Sequence, residues 1–172
     1  MSAAIDALPE SARATSTIRQ DLSSAAAAVG CSQSWSDMIH VNSTLPGGRR
    51  LAASGGDPFP VAAPVRACEY EVGPTEFGQQ KPGGEFTAGR VVTGADRRHL
   101  GELLGGAPAA DGCTVEATRF AVLTTPGRTD PVVYVELDGC RRLLIDTVGV
   151  DGRERTRLAQ SPAALLGALQ LH

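Results

Sequence analysis

The sequence predicts an α+β fold: a mostly antiparallel sheet of about five strands with helices packed on one face, tied together by two disulfides. Three observations carry this prediction. Runs rich in β-branched and aromatic residues are grouped between helical patterns, not alternated with them one by one. Two of these runs, Cys113 to Thr125 and Pro131 to Leu137, flank the turn-forming Pro126-Gly127-Arg128-Thr129-Asp130 and read as a β-hairpin. Finally, that hairpin is bracketed by Cys113 and Cys140. Folded about residue 127, its arms bring the two cysteines onto neighbouring strands, within the Cα separation of about 7 Å that a disulfide requires. A loop of odd index-sum places Phe120 and Val122 on one face with Val133 and Val135, and the same parity puts both cysteines together on the other.

Four cysteines, at 31, 68, 113 and 140, form an even, widely spaced set with no C-x-x-C spacing and no histidine at zinc-finger distance. Two disulfides and an oxidising compartment fit this usage. Four buried free thiols in a cytosolic protein are the alternative. Three pairings are open to the chain. Cys31–Cys68 with Cys113–Cys140 is favoured because each bond then closes a sequential segment, restricting the unfolded chain by roughly 3–4 kcal/mol.

In chain order, residues 1–30 read as an N-terminal helix or stalk, and 31–172 as the disulfide-stapled domain. Pro9 suits a first helical position, and Ile18, Leu22, Ala25 and Val29 make a weak small-residue stripe. The end of this segment, Ala28-Val29-Gly30-Cys31, resembles a lipoprotein cleavage box, which would make Cys31 a lipidated terminus in place of a disulfide partner. Residues 41–64 carry Pro46-Gly47-Gly48, Ser54-Gly55-Gly56 and three further prolines, and read as a long irregular connection. Val65 to Val72 and Glu85 to Thr93 read as strands. Thr93-Gly94-Ala95-Asp96 opens a helix whose buried stripe is Leu100, Leu103 and Leu104, stopped by Gly105-Gly106 and Pro108. The hairpin follows, then a strand from Arg141 to Asp146. Ser161-Pro162 starts a last helix with Leu165, Leu166 and Leu169 turned inward.

Composition bounds the function. The 172 residues carry a net charge of −3 and are 42% hydrophobic, 20% charged and 4% aromatic. That is a globular chain of one domain with no electrostatic case for nucleic acid and few rings for stacking bases. No run of 18 apolar residues occurs, so no membrane span is expected. Searches for a nucleophile elbow, a phosphate loop, a zinc-protease helix and a calcium loop all fail, so neither a cofactor nor a metal is expected. Ser36, Asp37 and His40 could be drawn as a triad, but adjacency in sequence is no support for one. His99 reads as a solvated helix-face residue. The pairs Glu69/Glu71 and Glu136/Asp138 alternate as exposed strand carboxylates do, and Arg141-Arg142 and Arg153 to Arg157 read as solvated surface.

The order of pieces is similar to something known. It comprises Cys31, Cys68 with Tyr70, Gly89-Arg90, Thr93-Gly94-Ala95, Ala107-Pro108-Ala109-Ala110, Cys113 and Asp138-Gly139-Cys140. Over about residues 31–170 it resembles the two-disulfide domains of actinobacterial secreted proteins and lipoproteins. That resemblance implies an envelope location and two disulfides, and no established activity. The functional expectation is therefore a non-enzymatic extracellular or cell-envelope domain that binds another protein or a wall component. Contact residues to test are Trp35, Arg49, Arg50 and Phe59. The alternative is a secreted protease inhibitor that presents the 41–64 loop, with Arg49-Arg50 entering a trypsin-like pocket. The sequence leaves the oligomeric state open.

Overall fold

The structure, a computed structural model, describes residues 10–36, 56–72, 83–110, 112–148 and 154–169, and for 10–17, 154 and 155 the backbone alone. In chain order the elements are α1 (Glu10–Val29), β1 (Ser34–Trp35), β2 (Val65–Glu71), β3 (Gly84–Val92) and α2 (Gly94–Gly105). There follow β4 (Arg119–Thr124), β5 (Val132–Glu136), β6 (Arg142–Val148), β7 (Glu154–Gln160) and α3 (Ala163–Leu169). The strands form one antiparallel sheet in the order β1-β3-β2-β4-β5-β6-β7. The α+β class and both disulfides agree with expectation. The sheet has seven strands where about five were expected, because β1 is only two residues long and β7 is a charged edge strand, Glu-Arg-Thr-Arg-Leu-Ala-Gln. Charged side chains on an edge strand discourage pairing with other chains, and they also disguise the strand in sequence.

The helices do not share one face. On the first face Ala67, Leu123, Val133, Val135 and Leu143 meet Leu100 and Leu104 of α2 and Leu165 and Leu169 of α3. On the second, Tyr70, Phe86, Phe120, Val122 and Leu144 cluster with Ala26 of α1. The central strands are therefore buried on both sides, which demands unbroken apolar runs, not alternation. Phe120-Ala-Val-Leu123 and Val132-Val-Tyr-Val135 are such runs. The stripe on α1 is also displaced: Ala26 is buried and Ala25 exposed, with Ile18 59% and Leu22 37% exposed.

The hairpin register corrects a further expectation. Phe120 pairs with Glu136, Val122 with Tyr134 and Leu123 with Val133, so the index-sum of paired residues in β4 and β5 is even, where the expected faces require an odd one. Val133 and Val135 consequently face Ala121 and Leu123, and Phe120 and Val122 share their face with Tyr134. A one-residue slip exchanges every side chain between faces.

Both favoured disulfides are present: Cys31–Cys68 with Cα atoms 5.9 Å apart and Cys113–Cys140 with Cα atoms 5.7 Å apart. Cys113 is not on a strand. It belongs to a strap, residues 112–118, that crosses the β5–β6 turn before β4 begins. The Asp138 carboxylate accepts from the Thr118 amide at 2.8 Å, the Thr118 hydroxyl at 2.7 Å and the Arg119 amide at 3.3 Å. Strap and turn touch so closely at Gly139 that a Cβ there would lie 2.8 Å from the Glu116 carbonyl oxygen.

Candidate functional site

The site is built around β1, where α1 hands the chain to the sheet. Gly30, at φ +75°, ends α1, and the Cys31 amide donates back to the Ala26 carbonyl at 2.8 Å. A left-handed residue at this point is the usual way a helix stops and reverses, and glycine adopts it without strain. Cys31 then anchors the reversal to Cys68 on β2. The underlying strand must come close: a Cβ on Gly89 would lie 2.9 Å from Cys31 Sγ and 3.0 Å from a Val29 methyl. Beyond the disulfide, Ser34 pairs with Glu85 and Trp35 with Gly84, and the Phe86 amide donates to the Gln33 carbonyl at 2.9 Å.

Trp35 is held by aromatic neighbours. Its Nε1–H donates to the Tyr134 hydroxyl at 3.2 Å, and its ring lies 6.3 Å from that of Tyr70. Tyr70 stacks on Phe120 at 5.4 Å and meets Phe86 edge-on at 6.2 Å, and its hydroxyl donates to the Ser32 carbonyl at 3.1 Å. Gly84 leaves room for this set, since a Cβ there would lie 2.7 Å from Phe120. Burial pushes the Tyr70 phenol up to about 12 and raises that of Tyr134 as well. Both hydroxyls are therefore neutral at physiological pH.

Two hollows flank β1. One, of about 390 Å³ and open to solvent, is lined by Ser34, Trp35, Ser36, Gly83 and Tyr134. The other, of about 240 Å³, lies between α1 and β3 and includes Arg19, Leu22, Gln33, Glu85 and Phe86. Ser34 borders both.

Of the four predicted contact residues, Trp35 lines the larger of these hollows. Phe59, expected as a contact residue, is 2% exposed and packs as a plug in the first-face core. The Asp57 carboxylate accepts the Phe59 amide at 3.0 Å and pairs with Arg97 of α2 at 2.7 Å. Arg97 also donates to the Ala63 carbonyl at 3.0 Å and lies over the Phe59 ring at 5.5 Å. Segment 56–64, expected to be irregular connection, is thus pinned to α2 by one buried guanidinium. Gly101 permits this, because a Cβ there would collide with the Asp57 carboxylate. Arg49, Arg50, Asp37 and His40 lie outside the described residues.

The carboxylates have structural partners. Glu69, 3% exposed, takes the Arg119 guanidinium, with Nε 2.7 Å away. Glu136, fully buried, accepts the Arg142 amide at 2.7 Å and its guanidinium at 2.6 Å. These two were expected on an exposed strand face, as was Arg142 on a solvated surface; burial of both sheet faces is what draws them in. His99 is exposed on α2, 3.8 Å from Glu102. No group of three or more metal-ligating side chains and no membrane-length apolar helix occurs among the described residues. The chain matches no protein-family model, no curated protein and no solved structure.

Tyr134, Ser34 and Gly83 were missed in the sequence, and Ser36 was weighed only as a triad member. Tyr134 lies in an apolar strand run and reads there as core, which it mostly is. Its hydroxyl reaches Trp35 although β3, β2 and β4 lie between β5 and β1, because the sheet curls around the second face.

Proposed function

We propose that this is a non-enzymatic binding domain that works outside the reducing cytosol, in the cell envelope or beyond it, and recognises another protein or a wall component through the groove beside Trp35. The observation that carries the reading is the placement of the one tryptophan: half-buried, oriented by Tyr134, and presented at a groove mouth immediately after a disulfide. An aromatic ring whose orientation is already set loses little entropy on binding, which is how such anchors contribute affinity. The two disulfides support this compartment, since such bonds persist in oxidising surroundings.

Protein from its native host, alkylated without reductant, is expected to show four unmodified cysteines by mass spectrometry and to co-sediment with envelope material. Four reactive thiols in the folded protein would overturn the compartment. Loss of the envelope association on Trp35→Ala is expected, and binding indifferent to that change would move the site elsewhere. The protease-inhibitor alternative rests on Arg49 and Arg50, and inhibition of a trypsin-like protease by the purified protein would replace the present reading.

A further inference from the structure

Independently of the groove beside Trp35, we infer that the strap is the reactive loop of a protease inhibitor: residues 113–117 lie substrate-like in the cleft of a serine protease, with Val115 in a small aliphatic specificity pocket. The strap has the properties such a loop needs. It is accessible, since Thr114, Val115 and Glu116 are all exposed, Val115 by 61%. Its chain runs without a bend from Cys113 to Ala117, joins no helix or strand, and has no residue at positive φ. Protein clefts take extended segments of this kind by main-chain pairing. Both flanks of the exposed trio are fixed to a single turn. On one side Cys113 is bonded to Cys140. On the other, Ala117 is 2% exposed, the Glu116–Ala117 backbone rests on Gly139, and Asp138 accepts from the Thr118 amide and hydroxyl. Three consecutive turn residues, 138–140, thus hold the strap on either side of the Val115–Glu116 bond.

A strap that only tied β4 to the β5–β6 turn would need Cys113 and Thr118, but not three exposed residues held in line between them. Val115 selects the partner. Serine-protease primary pockets are acidic for basic side chains, deep and apolar for aromatic ones, or small for short aliphatic ones. An uncharged, β-branched valine suits the last. Because the loop is already fixed in shape, docking it costs little entropy, which is how disulfide-held segments reach high affinity. The clamp also makes the loop an inhibitor and not a consumed substrate. When the protease serine attacks the Val115 carbonyl carbon, the Oγ–C bond forms and the Val115–Glu116 C–N bond breaks. The hydroxyl proton passes to the Glu116 nitrogen, which becomes an amine. That amine stays beside the ester, because Gly139 supports the adjoining backbone and Asp138 holds Thr118. At such an effective concentration it re-forms the peptide bond faster than water hydrolyses the ester.

The test titrates the full-length protein against a pancreatic-type elastase and against trypsin, each assayed with a chromogenic substrate. Elastase is expected to be inhibited and trypsin left active. Val115→Asp, at an exposed position, is expected to weaken inhibition at least about 100-fold with an unchanged melting temperature. Val115→Arg is expected to transfer inhibition to trypsin. On long incubation with elastase, a slow cut between Val115 and Glu116 is expected, adding the mass of one water. The two fragments should separate only after reduction, because Cys113–Cys140 spans the cut. Asp138→Ala, which releases Thr118, is expected to be cut at the same bond more quickly. Failure to inhibit elastase overturns the inference, as do undiminished inhibition by Val115→Asp and a first cut outside residues 113–117. Trp35→Ala is expected to inhibit as the parent protein does. Loss of inhibition in that variant would assign the effect to the groove and remove it from the strap. The two readings therefore fall separately.

Discussion

At the scale of single residues, the second sheet face is governed by two tyrosines, the only two in the chain. Each is packed so that its ring is buried and its hydroxyl is spoken for, by Ser32 and by Trp35. Burial opposes ionisation, raising Tyr70 from 10.0 to about 12 and shifting Tyr134 in the same direction. Folding therefore favours the protonated phenols. The stabilisation is complete below pH 10, the ordinary value of the unfolded chain, and is lost as pH rises towards 12. A spectrophotometric titration is expected to show less than half the tyrosinate signal at a pH where the denatured protein is half ionised. The melting temperature should fall across the same alkaline interval. Ordinary titration of both phenols in the folded protein would contradict the packing around Trp35.

At the scale of elements, the strap and the β5–β6 turn form one unit although about twenty residues separate them. Asp138 binds Thr118 twice, Gly139 abuts the Glu116–Ala117 backbone, and Cys140 is bonded to Cys113. Gly139 has φ +58°, in the left-handed region, and has no space for a side chain. Gly139→Ala is expected to destabilise the protein by more than about 1 kcal/mol, since both the backbone conformation and the contact oppose a methyl group. Gly127, also at positive φ but with open space around it, supplies the comparison. Alanine there meets only the conformational penalty, so denaturant unfolding should show a smaller loss. Equal losses at the two positions would mean that the strap does not press on the turn.

At the scale of the whole molecule, the two disulfides join different layers. Cys31–Cys68 ties the α1 exit to the central strand β2, and Cys113–Cys140 ties the strap to the opposite half of the sheet. Their sequence separations, 37 and 27, restrict the unfolded chain to nearly the same degree, about 3.5 to 4 kcal/mol each. Replacing either pair by serines should lower unfolding free energy by that order. Only the Cys31/Cys68 replacement should also blue- or red-shift the Trp35 emission of the folded protein, because that bond lies three residues from β1. An unaltered emission would show that the aromatic cluster alone positions the indole.

The strands were largely legible because their runs are long and bounded by glycine and proline; β2, β3 and α2 begin and end within a residue or two of the positions expected. Of the site, Trp35 and the first disulfide could be read, since sole tryptophans and even cysteine sets stand out in composition. Phe59 could not be told from a surface anchor, for its burial depends on Arg97, 38 residues away. By itself the chain determined the helices, five of the seven strands and the order of these, and the cysteine pairing that closes sequential segments, all of which depend on neighbours in sequence. Tertiary structure alone decided the parity of the β4–β5 register, the two-sided burial of the sheet and the meeting of Trp35 with Tyr134. Those depend on where a turn is centred and on which layers then cover each face. A shift of a single residue reverses them while leaving every local preference satisfied.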